Sequence, residues 1–273
     1  MTPRRKFPRC AMIVVALCVT AGAQTATARK NPVDIRGRPQ NIYLYPAAGT
    51  GEHPRLLFVP GDAGCRGFAV AIAEELAKAA YDTYCLDTLR YLRSSTGQTV
   101  LSTAEIASDF RRIARWIEPN GHMRLLLVGW SEGAGLDLAA AADGANHDIF
   151  SGVIAIGTPE ANILAWRWRD AGAWVTKRVP HEPTFKSAEL IPNISPLPLF
   201  LVASTSNEYV TPEETRGLFS AAREPKQLVI IDARDHKFGG NTERFFTVLR
   251  QALDWIEQHR AVSQTNAVQS QRR

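Results

Sequence analysis

A serine between two glycines is the first residue of this sequence whose setting suggests chemistry. Residues 129–133 read Gly-Trp-Ser-Glu-Gly, so Ser131 fits the pattern G-x-S-x-G. The pattern follows the apolar run Leu125–Val128 and precedes a helical segment. In such a strand–turn–helix setting the turn is so tight that a side chain two residues before or after the serine would collide with backbone. We therefore predict Ser131 as a nucleophile, with a serine that only caps a helix as the alternative.

A serine hydroxyl is a weak nucleophile until a base accepts its proton. Of the six histidines, His236 is the best placed, because it follows the apolar run Gln227–Ile231 late in the chain. The order of serine, acid and histidine is the one that a nucleophile on a strand–turn–helix elbow requires. We predict His236 as the base and expect the other five histidines to be solvated or capping residues.

The acid that orients the histidine should follow the strand predicted at Leu199–Ala203. An amide, Asn207, stands there where an aspartate is common, and Glu208 is its neighbour. We predict Glu208 as the acid, because a carboxylate stabilises the imidazolium that forms during catalysis. Asn207 as an uncharged orienting group and Glu160, which follows the preceding strand, are the alternatives.

Two backbone N–H groups must point at the oxyanion that forms when a carbonyl is attacked. We expect one from Glu132, the residue after the nucleophile, and the other from Asp62 in the loop Gly61–Gly64 that follows a predicted strand. The alternative for this loop is a plain strand-to-helix turn.

Tryptophans supply candidate substrate contacts. Trp130 precedes the nucleophile, and Trp166, Trp168 and Trp174 fall between about residues 158 and 196, where the alternation of strands and helices stops. We predict this segment to be an inserted cap, and Trp130, Trp166 and Trp168 to contact substrate, with Trp174 as a further lining residue. Tryptophans in a cap are as often simply buried.

Short apolar runs alternate with helical patterns from Pro54 to about His259. This alternation predicts an α/β fold of three layers, a mostly parallel sheet with helices on both faces. We assign residues 29–260 to one domain and predict a disordered polar tail at 261–273. The sequence has neither a metal-binding cluster nor a phosphate-binding glycine loop, so neither a metal nor a nucleotide cofactor is implied.

The first 28 residues combine a basic start, an apolar stretch and small residues at its end. They predict a signal peptide and a periplasmic or secreted protein, with an uncleaved membrane anchor as the alternative. After cleavage the chain has 28 basic against 27 acidic residues, a net charge of +1. This balance argues against a nucleic-acid partner. Cys65 and Cys85 remain, and their spacing alone does not decide between a disulfide and two separate thiols.

Together, the strand order, the elbow, the late histidine and the glycine loop resemble the α/β-hydrolase superfamily over roughly residues 40–258. The loop Gly61-Asp62-Ala63-Gly64 and the run Asp87–Leu92 are similar, more narrowly, to the VirJ/AcvB group of periplasmic hydrolases. That group is linked to hydrolysis of aminoacylated phosphatidylglycerol and to secretion-associated virulence. The sequence departs from the group at Cys65, usually tryptophan, at Glu132, usually phenylalanine, and at Asn207, usually aspartate.

The predicted function is therefore that of an exported serine hydrolase acting on carboxylic esters or related acyl bonds. The resemblance implies that the substrate is a lipid-linked or aminoacyl ester. Such an ester is either a small molecule or part of a membrane surface. The alternative is a non-catalytic hydrolase-like envelope protein that binds a lipid or a protein partner. The oligomeric state is left open.

Overall fold

The computed structural model describes residues 28–94, 101–176 and 181–270. The predicted signal peptide lies outside the described residues, apart from its last position. Within the described part of the chain, no helix is long and apolar enough to cross a membrane.

A twisted sheet of eight strands forms the centre of the molecule, in the order β1-β2-β4-β3-β5-β6-β9-β10. Its strands are β1 (Arg29–Ile35), β2 (Arg38–Tyr45), β3 (Arg55–Val59), β4 (Asp82–Leu86), β5 (Leu125–Trp130), β6 (Phe150–Ile156), β9 (Leu199–Ser204) and β10 (Lys226–Ile231). β1 and β2 run antiparallel to their neighbours, and the other pairs are parallel. The mostly parallel sheet is confirmed.

Helices cover both faces of this sheet. They are α1 (Phe68–Lys78), α2 (Thr88–Arg93), α3 (Thr103–Ile117), α4 (Glu132–Ala141), α5 (Ala173–Thr176), α6 (Ser187–Leu190), α7 (Pro212–Ala221) and α8 (Thr242–Ser270). One apolar cluster contains buried side chains of α3, α4 and α7, and the other contains those of α1 and α8. Every residue of β5 and β6 is buried, which explains their uninterrupted apolar sequences.

The antiparallel hairpin β1–β2 was not predicted from the sequence. β1 is mostly exposed or half-buried, and Pro32 and Pro39 lie within its two strands. Prolines and exposed polar residues are typical of edge strands, so the hairpin has no continuous apolar run to reveal it.

The predicted cap segment lies between β6 and β9. It contains a second, two-stranded antiparallel sheet of β7 (Ala161–Ile163) and β8 (Thr184–Lys186), together with α5 and α6. At the other end of the chain, α8 continues to Ser270 and so runs into the segment for which the sequence predicted disorder. Polar residues such as Gln and Arg are good helix formers, so a polar composition does not exclude a helix that grows from an anchored first half.

A disulfide joins Cys65 to Cys85, with 6.3 Å between their Cα atoms. It ties the loop after β3 to the end of β4. The structure thus decides a pairing that the spacing of the cysteines left open.

Candidate active site

Ser131 lies at a sharp turn between β5 and α4. Its φ of 59° and ψ of −129° are an uncommon combination for a residue with a side chain. Two backbone hydrogen bonds hold this conformation: Ser131 N–H donates to Ile156 O at 2.8 Å, and Ala134 N–H donates to Ser131 O at 2.9 Å. The strained backbone projects the hydroxyl from the end of the sheet, as a nucleophile elbow requires.

The two glycines of the motif are required by close backbone contacts. A Cβ atom at Gly133 would lie 1.8 Å from Val59 O, and one at Gly129 would lie 2.4 Å from the Cα atom of Ala134. Neither contact can be relieved by turning a side chain, because both partners are backbone atoms. The predicted reason for the pattern G-x-S-x-G is therefore confirmed.

The loop after β3 reaches the nucleophile through Gly61. A Cβ atom at Gly61 would lie 3.2 Å from Ser131 Cβ and 3.5 Å from Ser131 Oγ. Thr88 Oγ1 donates to Pro60 O at 2.9 Å and fixes the start of this loop. The next residue, Asp62, therefore lies beside the turn that carries Ser131, and its role as an oxyanion donor with Glu132 stays a prediction.

His236 follows β10 and is 6% exposed. Its Nδ1 lies 2.8 Å from Nδ2 of Asn207, a residue in the loop after β9. Asn207 Oδ1 accepts hydrogen bonds from Tyr209 N–H at 2.9 Å and from Val210 N–H at 3.3 Å. These two bonds fix the amide, because a turned amide would place its NH₂ group against two further donors.

This arrangement determines which nitrogen of His236 carries the proton. An NH₂ group donates only, so Nδ1 must accept and the neutral ring carries its proton on Nε2. A general base that serves Ser131 needs the opposite tautomer, with Nε2 unprotonated. The amide of Asn207 therefore favours the opposite tautomer from the one that the predicted role of His236 requires.

Of the two carboxylates considered from the sequence, Glu208 contacts the backbone of His236 and Glu160 lies in the cap. Glu208 Oε2 accepts the backbone N–H of His236 at 2.8 Å. The Asn207 amide thus contacts the ring of His236, and the Glu208 carboxylate contacts its backbone. Glu160 follows β6 at the start of the cap, where its carbonyl accepts Ser187 N–H at 2.8 Å.

Comparisons with known proteins agree with this architecture. Residues 54–175 match a family model described as the alpha/beta hydrolase fold. Similar solved structures include Est1E from Butyrivibrio proteoclasticus, with a TM-score of 0.62, 14% identity and coverage of 84% of this chain and 99% of that one. The esterase domain of a Rhodothermus marinus protein gives a TM-score of 0.60, 20% identity and coverage of 85% and 98%. DcsB, in complex with its substrate analogue, gives a TM-score of 0.65 at 14% identity, with coverage of 86% of this chain and 100% of that one.

The chain has the α/β-hydrolase fold. This confirms the predicted resemblance to that superfamily, whereas the narrower likeness to the VirJ/AcvB group stays a prediction. No curated protein matches the sequence. At these identities the comparisons identify the architecture and leave the substrate to be argued from the site.

Three features of this α/β-hydrolase site were not found from the sequence. Trp130 stacks on the His236 ring with 5.1 Å between ring centroids, and Tyr209 meets the same ring edge-on at 5.2 Å. Gly157 has a φ of +57°, and a Cβ atom there would lie 3.0 Å from the His236 ring. Trp130 thus packs against His236, the predicted base, and its predicted contact with substrate stays a prediction. Gly157 directly follows β6, so its place at the end of a predicted strand was the available signal.

The two residues predicted to donate to the oxyanion, Asp62 and Glu132, both have carboxyl side chains. Glu132 is buried, and burial raises the pKa of its carboxyl well above the usual range. The charge of nearby Asp62 raises this pKa further, while a hydrogen bond from Ile163 N–H, which Oε1 accepts at 2.6 Å, lowers it. A neutral Glu132 avoids placing a second negative charge beside the developing oxyanion.

A second buried carboxyl lies beneath the elbow, in α4. Asp137 is completely buried, and its Oδ2 lies 2.7 Å from the position of a Cβ atom at Gly129. Neither oxygen has a hydrogen-bond partner among the described residues, and burial raises the pKa of this carboxyl well above its usual range. Asp137 thus places a carboxyl without a hydrogen-bond partner among the described residues directly under the turn that carries Ser131.

The cap tryptophans differ in exposure. Trp166 is completely buried in the core, which is the alternative that the sequence left open for it. Trp168 is 72% exposed and packs edge-on against Trp166, with 5.8 Å between ring centroids. The side chain of Trp174 lies outside the described part of the structure.

Proposed function

We propose that this α/β-hydrolase fold is a serine hydrolase that cleaves carboxylic esters or related acyl bonds. The observation that carries the proposal is the strained conformation of Ser131, with its φ of 59°. Strain of this kind persists only where the surrounding structure enforces it, and it is concentrated at functional sites. Gly61 and Gly157 keep the space around Ser131 and His236 clear of other side chains.

In the proposed reaction Ser131 Oγ attacks the carbonyl carbon while His236 Nε2 accepts the hydroxyl proton. The N–H groups of Asp62 and Glu132 stabilise the oxyanion. His236 then donates its proton to the leaving alcohol, and a water molecule activated by the same histidine hydrolyses the acyl-enzyme. Each cycle requires His236 to leave the tautomer that Asn207 stabilises, so we expect slow turnover.

A second candidate is a non-catalytic hydrolase-like protein that binds an envelope lipid or protein. The contact of 2.8 Å between Asn207 Nδ2 and His236 Nδ1 is the observation that favours it. A site that stabilises the unproductive tautomer is expected to lose turnover while keeping its shape.

Hydrolysis of short and long p-nitrophenyl esters distinguishes the two candidates. The wild-type protein, Ser131→Ala and Glu208→Gln are compared, with Ser220→Ala on the exposed side of α7 as a matched control. Activity and fluorophosphonate labelling that disappear only in Ser131→Ala support the hydrolase. Absence of both in a folded wild-type protein contradicts it and favours the binding protein.

Export and the class of substrate complete the proposal. Residues 1–28 have the composition of a signal peptide, and the disulfide between Cys65 and Cys85 is typical of an oxidising compartment. We propose a periplasmic or secreted enzyme whose substrate is a small-molecule or lipid ester, including an aminoacyl ester at a membrane surface. Fractionation of cells that express the chain with and without residues 1–28 tests export, and retention of both forms in the cytoplasm contradicts it.

A further inference from the structure

A cavity rich in arginine opens at one end of the central sheet. Its volume is about 620 Å³, and its lining includes Arg38, Arg66, Arg90 and Arg93. Asp87 is the acidic residue of this lining, so the cavity walls carry a net charge of +3. We call these four arginines the arginine cluster. Neither Ser131 nor His236 lines the cavity, so the cluster is separate from the site described above.

The arginine cluster lies on the same edge of the sheet as Ser131. β2 runs antiparallel to β4 with Ile42 opposite Leu86, so residues 38–41 extend past the carboxyl end of β4. Ser131 follows the carboxyl end of β5, and β3 alone lies between β4 and β5. Since neighbouring strands are about 4.8 Å apart, the ends of β4 and β5 are separated by roughly 10 Å.

One loop connects the cavity to the nucleophile. At its start, Gly61 lies against Ser131. Gly64 N–H donates to Gly61 O at 2.9 Å and closes a tight turn. A Cβ atom at Gly64 would lie 2.5 Å from Asp87 Oδ1, at the cavity wall. Arg66 continues the same loop, so a ligand in the cavity lies beside the loop that carries the predicted oxyanion donor.

Backbone carbonyls orient the guanidinium groups of Arg38 and Arg90. Arg90 Nε–H donates to Pro39 O at 2.8 Å, and Arg38 donates to the carbonyl of Ser94. Arg93 lies over the ring of Trp168, with 4.3 Å between Cζ and the ring centroid. An arginine has five N–H donors, so one backbone contact each leaves most donors of Arg38 and Arg90 available.

Ion pairs do not neutralise three of these arginines in the described part of the chain. Arg38, Arg66 and Arg90 form no ion pair with the acidic residues that the structure describes. Gln40, a further lining residue, is 1% exposed, and its Oε1 has no hydrogen-bond partner within the described chain. The ligand that matches these N–H donors is an oxyanion, because arginine binds phosphate and carboxylate groups in a bidentate manner.

We propose that the arginine cluster binds an oxyanionic group, a phosphate or a carboxylate, carried by the ester that Ser131 cleaves. Assigning the anion to an ester rests on the proposed function; the anion site itself does not. The separation of roughly 10 Å between the strand ends requires an acidic group well removed from the scissile carbonyl. The enzyme then selects esters of acidic molecules over neutral esters of the same length.

Binding of inorganic phosphate tests the anion site without turnover. Isothermal titration calorimetry is run on the Ser131→Ala protein, alone and combined with Arg66→Gln or with Arg66→Gln and Arg90→Gln. We expect affinity to fall at least about tenfold when both arginines are replaced, because charged hydrogen bonds are lost. Arg115→Gln, on the exposed side of α3, is the matched control and should leave binding unchanged. Absence of phosphate binding, or equal binding by the arginine variants and the control, overturns the proposal.

Kinetics with two matched esters then test the source of the anion. The p-nitrophenyl ester of azelaic acid is compared with the same ester whose far carboxylate is capped by a methyl group. The wild-type enzyme should show a lower KM for the acidic ester, and Arg66→Gln with Arg90→Gln should abolish this preference. Equal KM values in the wild type overturn the assignment of the anion to the substrate. If neither ester is hydrolysed while phosphate binding depends on the arginines, the proposed function fails and the anion site stands.

Discussion

Under the proposed function, replacing Asn207 by aspartate should raise the rate of ester hydrolysis. In the structure Asn207 Oδ1 accepts Tyr209 N–H and Val210 N–H, while Nδ2 meets His236 Nδ1. An aspartate of the same shape keeps the first two bonds and presents an acceptor at Nδ1. The proton of the neutral ring then moves to Nδ1, and Nε2 becomes the base that Ser131 requires.

The size of this gain follows from the cost of the productive tautomer in the wild type. Either the 2.8 Å contact at Nδ1 becomes a contact between two donors, or the amide turns and loses both bonds of its Oδ1 atom. A neutral hydrogen bond contributes about 1 kcal/mol, and a buried donor without an acceptor costs about 1–3 kcal/mol. Either route therefore costs about 2–4 kcal/mol, or roughly 30- to 1,000-fold in kcat/KM. The reverse change in a serine protease lowers kcat by about 10⁴-fold.

The assay is p-nitrophenyl acetate hydrolysis by the wild type, Asn207→Asp and the double variant Ser131→Ala/Asn207→Asp. The gain should disappear in the double variant. Nitrogen-15 NMR of the His236 ring provides an independent test, with the Nε2–H tautomer expected in the wild type and Nδ1–H in Asn207→Asp. A wild-type ring already protonated on Nδ1, or a folded Asn207→Asp protein with unchanged kcat/KM, would refute the reasoning.

Three further predictions concern the acidic side chains around the elbow. Glu208→Gln should lower kcat/KM by less than about tenfold, because its amide oxygen still accepts the His236 N–H; a loss of about 10³-fold would make Glu208 the acid instead. In the wild type, ionisation of Glu132 above its raised pKa places a charge beside the oxyanion, so kcat/KM should fall at alkaline pH. Glu132→Gln has no such charge and should keep its kcat/KM there. A ratio of kcat/KM between variant and wild type that is the same at every pH would contradict this. Asp137→Asn should raise the free energy of unfolding by about 1–3 kcal/mol at pH 7, measured in urea.

The sign of the Asp137 effect depends on pH. Burial raises the pKa of this carboxyl in the folded state above its unfolded value. The folded chain therefore binds the proton more tightly, and wild-type stability falls as pH rises above about 4. The advantage of Asp137→Asn should vanish below about pH 4, where the carboxyl is protonated in both states. An advantage of equal size at both pH values would show that ionisation is not its cause.

Much of the site was predictable because its chemistry follows from local sequence. The elbow is contained in five residues, and the collisions that demand Gly129 and Gly133 arise within one strand–turn–helix unit and its neighbouring strand. The late position of His236 follows from the order of elements in the sheet. The choice between Asn207 and Glu208 could not be read in the same way, because it depends on the direction of each side chain in a turn.

The sequence by itself determined the class of fold, the tight turn at Ser131 and the approximate place of the base. These features depend on apolar periodicity and on steric conflicts between residues close along the chain. Only the tertiary structure decided the disulfide between Cys65 and Cys85, the tautomer of His236 and the arginine cluster. Arg38 and Arg93 are far apart in sequence and meet because an unpredicted antiparallel hairpin extends the sheet past β4. Such contacts depend on strand order and register, which no local pattern of residues specifies.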